Sequence, residues 1–158
     1  MASAYDFSFT TPKGADYPLA QHRGKPMLVV NTASKCGFTP QYEALQELTK
    51  SFPQVVIIGV PCNDFGGQEP GTADQIDSFC VINYGVSFPI MGKVTTKGPE
   101  AHPFFTWVQE QGGSLAKPRW NFYKYIIDQQ GALADYFISS TSPASKRFIR
   151  ALEKVFYG

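Results

Sequence analysis

The sequence has little net charge and no long run of hydrophobic residues. Charged residues make up 17% of the chain, the net charge is +1, and lysine and arginine do not cluster. This composition argues against a strongly basic surface for nucleic acid or anionic membranes. The longest apolar runs, 27–30 and 55–60, are too short to span a bilayer, and the first residues show no signal-peptide pattern. We therefore expect a cytoplasmic protein without nucleic-acid or stable membrane association.

Cysteine is also scarce. The three cysteines, Cys36, Cys62 and Cys80, are an odd number and do not suit a disulfide scaffold. The two histidines lie far from them, and no pair has the spacing of metal ligands. We therefore expect no metal and no cofactor, and we expect the cysteines to be buried thiols or reactive groups.

The chain has the composition and length of a folded protein with a single domain over residues 1–158, since 43% of its residues are hydrophobic. Segments 27–32 and 54–60 contain runs rich in valine and isoleucine, which is typical of strands covered on both faces. Between them, 40–52 has an apolar stripe at helical spacing, with Thr39 as expected N-cap and Pro40 as first helical residue. This unit predicts two parallel strands with a right-handed crossover.

A second helix is predicted over 72–84. Its start is marked by a capping-box pattern that begins at Thr72, and Gly85 lies where a left-handed C-cap belongs. A shorter helical pattern covers 103–111 and predicts a third helix.

The remaining segments predict a hairpin, a last helix and an N-terminal extension. Segments 122–127 and 132–138 flank the turn sequence D-Q-Q-G. Ser142 and the proline after it are expected to open the last helix, and 5–19 is expected to form a small hairpin. This order of elements is that of a thioredoxin-like α/β fold, with a central mixed sheet flanked by helices and an N-terminal β-hairpin.

Cys36 lies just after the first predicted strand and at the start of the first predicted helix. In such a sheet, reactive groups gather beyond the carboxyl ends of the parallel strands, where the residues after Val60 also lie. A thiolate is the nucleophilic form of cysteine, and a helix N-terminus and the neighbouring Lys35 both favour an anion. Because a lone cysteine is more often a small buried side chain, its position alone leaves both interpretations open.

Several separated segments resemble the glutathione peroxidase family. They are N-T-A-S-K-C-G-F-T around Cys36, P-C-N-D-F-G-G-Q-E-P-G at 61–71, N-Y-G-V-S-F-P at 83–89, G-P-E-A-H-P at 98–103 and W-N-F at 120–122. The resemblance covers nearly the whole chain, in the family's order and spacing. It implies a peroxidase that reduces hydrogen peroxide and organic or lipid hydroperoxides.

The family's catalytic cluster falls on Cys36, Gln68, Trp120 and Asn121 in this sequence. Attack of a thiolate on a peroxide releases an alkoxide or hydroxide, which indole and amide N–H groups can stabilise as it leaves. The glycines before Gln68 are expected to let its loop approach the sulfur. One residue departs from the family, because Asp64 stands where glutamine is usual; a carboxylate there is expected to repel anionic substrates or to raise the pKa of the thiol.

The resemblance also implies a second reactive thiol. Oxidised Cys36 would be a sulfenic acid, which another thiol condenses to a disulfide. Cys80 matches the resolving cysteine of thioredoxin-dependent members, whereas Cys62 is expected to be a buried structural thiol. Because a disulfide needs Cα atoms about 4.4–6.8 Å apart, we expect the helix over 72–84 to unwind partly. Thioredoxin is the expected reductant and glutathione the alternative, and the short segment before Trp120 suggests a monomer.

The sequence argues against two other cysteine-dependent enzyme classes and leaves one non-enzymatic alternative open. A thioredoxin-type oxidoreductase needs a second cysteine where this chain has Thr39. A peroxiredoxin normally has proline and threonine where this chain has Val29 and Ala33. A redox sensor that passes its oxidation to a partner protein would use the same Cys36 and Cys80, so this alternative stays open.

Overall fold

The computed structural model describes residues 2–157 of the chain. Within these residues, no helix is both long enough and apolar enough to cross a membrane. The helices are α1 (Gln41–Ser51), α2 (Ala73–Tyr84), α3 (Pro103–Gly112) and α4 (Lys146–Tyr157). The strands are β1 (Ser8–Thr10), β2 (Asp16–Pro18), β3 (Met27–Thr32), β4 (Val56–Pro61), β5 (Lys124–Ile127) and β6 (Leu133–Phe137).

The central sheet is mixed and has the strand order β4–β3–β5–β6. Strands β3 and β4 are parallel, whereas β5 runs antiparallel to both β3 and β6. Strands β1 and β2 form a separate antiparallel hairpin near the N-terminus. The predicted thioredoxin-like α/β fold, with helices around a mixed sheet and an N-terminal β-hairpin, is confirmed.

Both faces of the sheet are covered, and β3 contributes to each core. Successive residues of a strand point to opposite faces. Leu28 and Val30 pack in a core with residues of α1, α2 and α4, whereas Met27 and Val29 pack in a second core with residues of α3. Every residue of β3 is buried, which explains why its first four residues, 27–30, form a continuous apolar run.

The predicted ends of α2 are confirmed. The Thr72 hydroxyl accepts the Gln75 N–H at 3.3 Å, and the Gln75 side chain accepts the Thr72 N–H at 2.9 Å. Gly85 follows the helix in the left-handed conformation, with a φ of 60°. This reciprocal capping box and glycine C-cap satisfy backbone groups that the helix itself leaves free.

The predicted start of α4 is wrong by about one turn. The helix begins at Lys146, not beside Ser142. The Ser142 carbonyl accepts the Ser145 N–H at 3.0 Å, which closes a turn before the helix. The Ser145 hydroxyl then accepts the Phe148 N–H at 3.3 Å. A serine that caps the third helical N–H acts as an N-cap, so the cap is Ser145.

Candidate active site

Cys36 lies in the turn that joins β3 to α1. Its side chain is 7% exposed, and its thiol is free. The Phe38 N–H donates to the Cys36 sulfur with an N···S distance of 3.4 Å. This bond holds the sulfur against the backbone that leads into α1.

Thr39 holds this turn and is not the N-cap of α1, so that prediction is wrong. The helix begins at Gln41 and its cap position is Pro40, with no side-chain cap. The Thr39 hydroxyl instead accepts the Cys36 N–H at 2.9 Å and donates to the Ala33 carbonyl at 2.8 Å. Thr39 thus stands where a C-x-x-C motif has its second cysteine, and its hydroxyl fixes the backbone of Cys36.

The loop that carries Gln68 pairs with the loop that carries Cys36. The Lys35 N–H donates to the Gln68 carbonyl at 3.0 Å. Next to this bond, the Ser34 N–H donates to the Glu69 carboxylate at 3.0 Å. These two neighbouring bonds join the segment Gln68–Glu69 to the two residues directly before Cys36.

Glu69 is a site residue that sequence reasoning missed. Its side chain is fully buried, and its second carboxylate oxygen has no hydrogen-bond partner among the described residues. Burial raises the pKa of this carboxyl, while hydrogen bonds from Ser34 and the charge of Lys93 oppose the increase. The available signal was a carboxylate placed directly after Gln68 in the matching segment.

The glycines before Gln68 let their loop approach Trp120. Gly66 and Gly67 have φ values of 67° and 60°, in the left-handed region that favours glycine. A Cβ atom on Gly66 would lie 3.0 Å from the Trp120 ring, whereas a Cβ on Gly67 would meet nothing. At Gly66, the side chain that lies closest to the Cβ position, chain neighbours aside, is therefore the Trp120 indole.

Asn121 makes direct contact with Gln68. Its amide nitrogen donates to the Gln68 side-chain oxygen at 3.1 Å, and the Asn121 side chain is fully buried. No described residue accepts from the Gln68 amide nitrogen or from the Trp120 indole nitrogen, so both remain available as donors. The structure thus brings Gln68, Trp120 and Asn121 together, beside a loop bonded to the residue that precedes Cys36.

Asn31 fixes the turn that carries Trp120 and Asn121, and sequence reasoning also missed it. Its amide donates to the Trp120 carbonyl at 2.9 Å, and its side-chain oxygen accepts the Tyr123 N–H at 2.9 Å. Between these bonds, Phe122 has a φ of 64°, which is rare for a residue other than glycine. The signal was an amide side chain directly after the apolar run 27–30 of a buried strand, because such a group must find hydrogen-bond partners.

Cys80 and Cys62 are both fully buried free thiols. Burial raises the pKa of each to about 11. Cys80 belongs to the same core as Cys36, where the Tyr42 hydroxyl acts to lower the Cys80 pKa. A thiol with so high a pKa is almost entirely protonated at neutral pH, so Cys80 is a weak nucleophile while α2 is intact.

The charge of Asp64 acts on Cys62. The Asp64 carboxylate accepts the Thr96 N–H at 2.5 Å and the Thr96 hydroxyl at 3.1 Å. Burial is the largest cause of the raised pKa of Cys62. The Asp64 N–H, which donates to the Cys62 sulfur at 3.4 Å, and the Thr96 hydroxyl lower this pKa, whereas the Asp64 carboxylate raises it. Cys62 is therefore a buried thiol, as expected, and Asp64 is part of its surroundings.

An open cavity of about 350 Å³ separates the Cys36 loop from α2. One wall contains Ser34 and Lys35, the opposite wall contains Ile76 and Phe79 of α2, and Glu69 also lines it. The cavity thus lies beside the two residues that precede Cys36.

Comparisons with known proteins identify what this chain is similar to. A model of the glutathione peroxidase family matches residues 4–109. A glutathione peroxidase homolog, BsaA of Staphylococcus epidermidis, is 44% identical over 147 residues, which is 90% of this chain and 93% of that protein. A glutathione peroxidase-like peroxiredoxin of Chlamydomonas reinhardtii is 45% identical over 145 residues, with coverages of 89% and 90%.

Solved structures are similar to this chain over nearly its whole length. The crystal structure of Trgpx in apo form has a TM-score of 0.75 and 34% identity, with 96% of each chain covered. The crystal structure of GPX1 of T. cruzi has a TM-score of 0.78 and 29% identity, with coverages of 99% and 98%. An MTB dsbF structure, at a TM-score of 0.64 and 18% identity, shares the fold.

Proposed function

The chain belongs to the glutathione peroxidase family, and from this membership we propose that it is a thiol peroxidase with Cys36 as its nucleophile. It reduces hydrogen peroxide and organic or lipid hydroperoxides. The observation that carries the assignment of the site is the cluster of Gln68, Trp120 and Asn121, in which the Gln68 carbonyl accepts from the N–H of the residue before Cys36. Curated relatives named glutathione peroxidase-like peroxiredoxin support the same activity.

In the first step, the Cys36 thiolate attacks the terminal oxygen of the hydroperoxide. An S–O bond forms as the O–O bond breaks, so sulfur is oxidised to a sulfenic acid and the other oxygen leaves as alkoxide or hydroxide. That oxygen takes up a proton and departs as an alcohol or as water. The Phe38 N–H donates to this sulfur, so the turn fixes the position of the nucleophile.

The charge that develops on the departing oxygen needs hydrogen-bond donors. The Trp120 indole and the Gln68 amide carry N–H groups without other partners in the described structure, and neither is oxidised as readily as a thiol. Asn121 occupies the Gln68 oxygen at 3.1 Å, which orients the Gln68 amide so that its N–H groups point elsewhere. Donors of this kind typically contribute about 10²–10³ in rate.

In the second step, the Cys80 thiol attacks the sulfenic sulfur of Cys36. A disulfide forms, and the sulfenic oxygen leaves as water with the proton of the thiol. Because Cys80 is fully buried on α2 with a pKa of about 11, we propose that α2 opens before this step. Opening exposes the thiol to water, which lowers its pKa toward the ordinary value and frees it to reach Cys36.

In the third step, a protein dithiol of the thioredoxin type reduces the Cys36–Cys80 disulfide. Thiol–disulfide exchange restores both thiols and leaves the partner as a disulfide, so one peroxide consumes one dithiol. Glutathione is the alternative reductant. A relay of the Cys36 oxidation to a partner protein remains the non-enzymatic alternative.

The deciding experiment is steady-state peroxide reduction with thioredoxin, its reductase and NADPH, compared with glutathione and its reductase. The parent and the variants Cys36→Ser, Cys80→Ser and Cys62→Ser are compared. We expect turnover with thioredoxin that Cys36→Ser and Cys80→Ser abolish and that Cys62→Ser leaves within about twofold, because Cys62 is a buried thiol outside the cycle.

Each alternative gives its own result. Turnover with glutathione that survives Cys80→Ser would identify glutathione as the reductant and would reject the resolving role of Cys80. Stoichiometric oxidation without turnover by either reductant would favour the relay. Peroxide reduction by Cys36→Ser at the parental rate would reject the proposed function.

A further inference from the structure

Lys124 is a fully buried lysine in β5. Its ammonium donates to the carbonyls of Ser139 at 3.0 Å and Ile138 at 3.3 Å. Among the described residues, the only ion pair joins Lys50 to Glu47, so no carboxylate neutralises Lys124 there. A buried charge without a counter-ion is unfavourable, and its presence three positions after Asn121 needs a reason.

Ser139 connects Lys124 to the proposed active site. The Ser139 hydroxyl donates a short hydrogen bond to the main-chain carbonyl of Asn121. The Ser139 carbonyl, which accepts from Lys124, also accepts from the Gln41 amide at 2.8 Å. Gln41 is the first residue of α1, so one serine joins β5, the first turn of α1 and the turn that carries Asn121.

The turn at Trp120 and Asn121 is therefore held from two sides. Asn31 of β3 binds the main chain on either side of Asn121, and Ser139 binds Asn121 itself. Phe122, at a φ of 64°, is held in a conformation that persists only where its surroundings fix it. Loss of either side would let the turn relax.

We propose that Lys124 is a positioning residue for peroxide reduction: it holds Ser139, and through Ser139 it fixes the turn that presents Trp120 and Asn121 to Cys36. This inference rests on the proposed function.

The proposal carries a pH dependence. Burial lowers the pKa of Lys124 to about 7. An ammonium has three N–H donors and a positive charge, whereas the neutral amine makes weaker bonds to carbonyls. The facing residues Val30 of β3, Phe137 of β6 and Gln41 of α1 do not titrate. On α4, the Arg147 guanidinium lies 5.2 Å from the Phe137 ring centre.

The test compares two reactions of Cys36 in the full-length protein. Oxidation by hydrogen peroxide needs donors for the leaving oxygen, whereas alkylation by iodoacetamide needs only the thiolate. Both second-order rate constants are measured between about pH 5.5 and 9, so that their ratio cancels the ionisation of Cys36 itself. The variants are Lys124→Met and Ser139→Ala, with exposed Lys50→Met as the matched control.

In the parent, we expect the ratio of the peroxide rate to the alkylation rate to fall as the pH rises through about 7. In Lys124→Met, the ratio should be reduced about 10–100-fold and should no longer change with pH, because a displaced turn misaligns the donors. Ser139→Ala should reduce it comparably while Lys124 remains in place. Lys50→Met should match the parent.

Other outcomes overturn the proposal. An unchanged ratio in both variants, or equal loss of the peroxide and alkylation rates, would leave Lys124 a purely structural residue. If Lys124→Met does not fold, the parent and Ser139→Ala decide together: a parental ratio that does not change as the pH rises through about 7 would reject the role of Lys124. A parent whose Cys36 is alkylated normally but does not reduce peroxide would instead reject the proposed function, and this inference with it.

Discussion

The Asn121 amide nitrogen lies 3.1 Å from the Gln68 side-chain oxygen, although 53 positions separate the two residues in the sequence. This bond fixes the rotation of the Gln68 amide, because an oxygen that accepts from Asn121 directs the nitrogen to the other side. Gln68 is thus a donor whose direction depends on a second residue. The two side chains should act as one unit in catalysis.

Substitution of this pair should show strong coupling. Gln68→Ala and Asn121→Ala should each slow the oxidation of Cys36 by hydrogen peroxide about 10–100-fold, because each change removes or misdirects a donor. The double variant should be slowed by much less than the product of the two effects. Stopped-flow measurement of sulfenic acid formation under single-turnover conditions gives all four rate constants. Multiplicative losses would show that the two amides act independently.

The pair Gly66 and Gly67 offers a matched test of the contact with Trp120. Alanine at either position should cost about 1–2 kcal/mol of stability, because both residues have positive φ. Only Gly66→Ala would also place a Cβ 3.0 Å from the indole ring. Gly66→Ala should therefore slow peroxide reduction about tenfold through displacement of Trp120, whereas Gly67→Ala stays within about twofold.

Urea denaturation and single-turnover rates separate the two effects of these substitutions. Equal peroxide rates in Gly66→Ala and Gly67→Ala would argue that the position of Trp120 against this loop has no catalytic consequence. A loss of stability confined to Gly66→Ala would argue that the left-handed conformation of Gly67 is not maintained.

The opening of α2 predicts a change in amide exchange. When Cys80 leaves the core to pair with Cys36, the helix Ala73–Tyr84 loses the packing that protects its amides. Oxidised protein should exchange these amides much faster than reduced protein, while α3, which packs in the other core, should remain unchanged. Hydrogen–deuterium exchange with mass spectrometry measures both segments in one sample. Equal exchange of α2 in the two forms would contradict opening.

Local patterns predicted most of the fold because the responsible residues act on their own neighbours. The apolar run of β3 and the capping box of α2 depend on contacts within a few positions, and both are confirmed. The predicted start of α1 was wrong because another contact competes with the cap. Thr39 has the right chemistry for a cap, but its hydroxyl bonds to Cys36 and Ala33 instead, and a helix pattern alone does not reveal such a competing partner.

The residues that support the site were harder to predict because their partners are distant in sequence. Cys36, Gln68, Trp120 and Asn121 were predicted through a family resemblance, not from spacing. Asn31 is 89 positions from Trp120, so the sequence around Asn31 does not show which residue it bonds to. A polar side chain within a buried apolar segment was the one available signal.

Lys124 should also make the stability of the fold depend on pH. Its pKa is about 7 in the folded protein, against an ordinary value of 10.5 that applies to the unfolded chain. Below pH 7 the lysine is charged in both states, and folding bears the full cost of burying the charge. Between about 7 and 10.5 the unfolded chain binds more protons than the folded protein, so the contribution of Lys124 to stability rises with pH.

Comparison with Lys124→Met isolates this contribution, because the raised pKa values of Cys62 and Cys80 act in the opposite direction at alkaline pH in both proteins. The free energy of unfolding of the parent relative to the variant should increase by up to about 1.4 kcal/mol per pH unit above pH 7. It should be nearly constant below that pH. Urea denaturation from pH 6 to 8.5 measures the difference, with Lys50→Met as the exposed control. A parallel dependence in the parent and Lys124→Met would mean that Lys124 keeps an ordinary pKa, since a lysine charged in both states contributes no slope in this range.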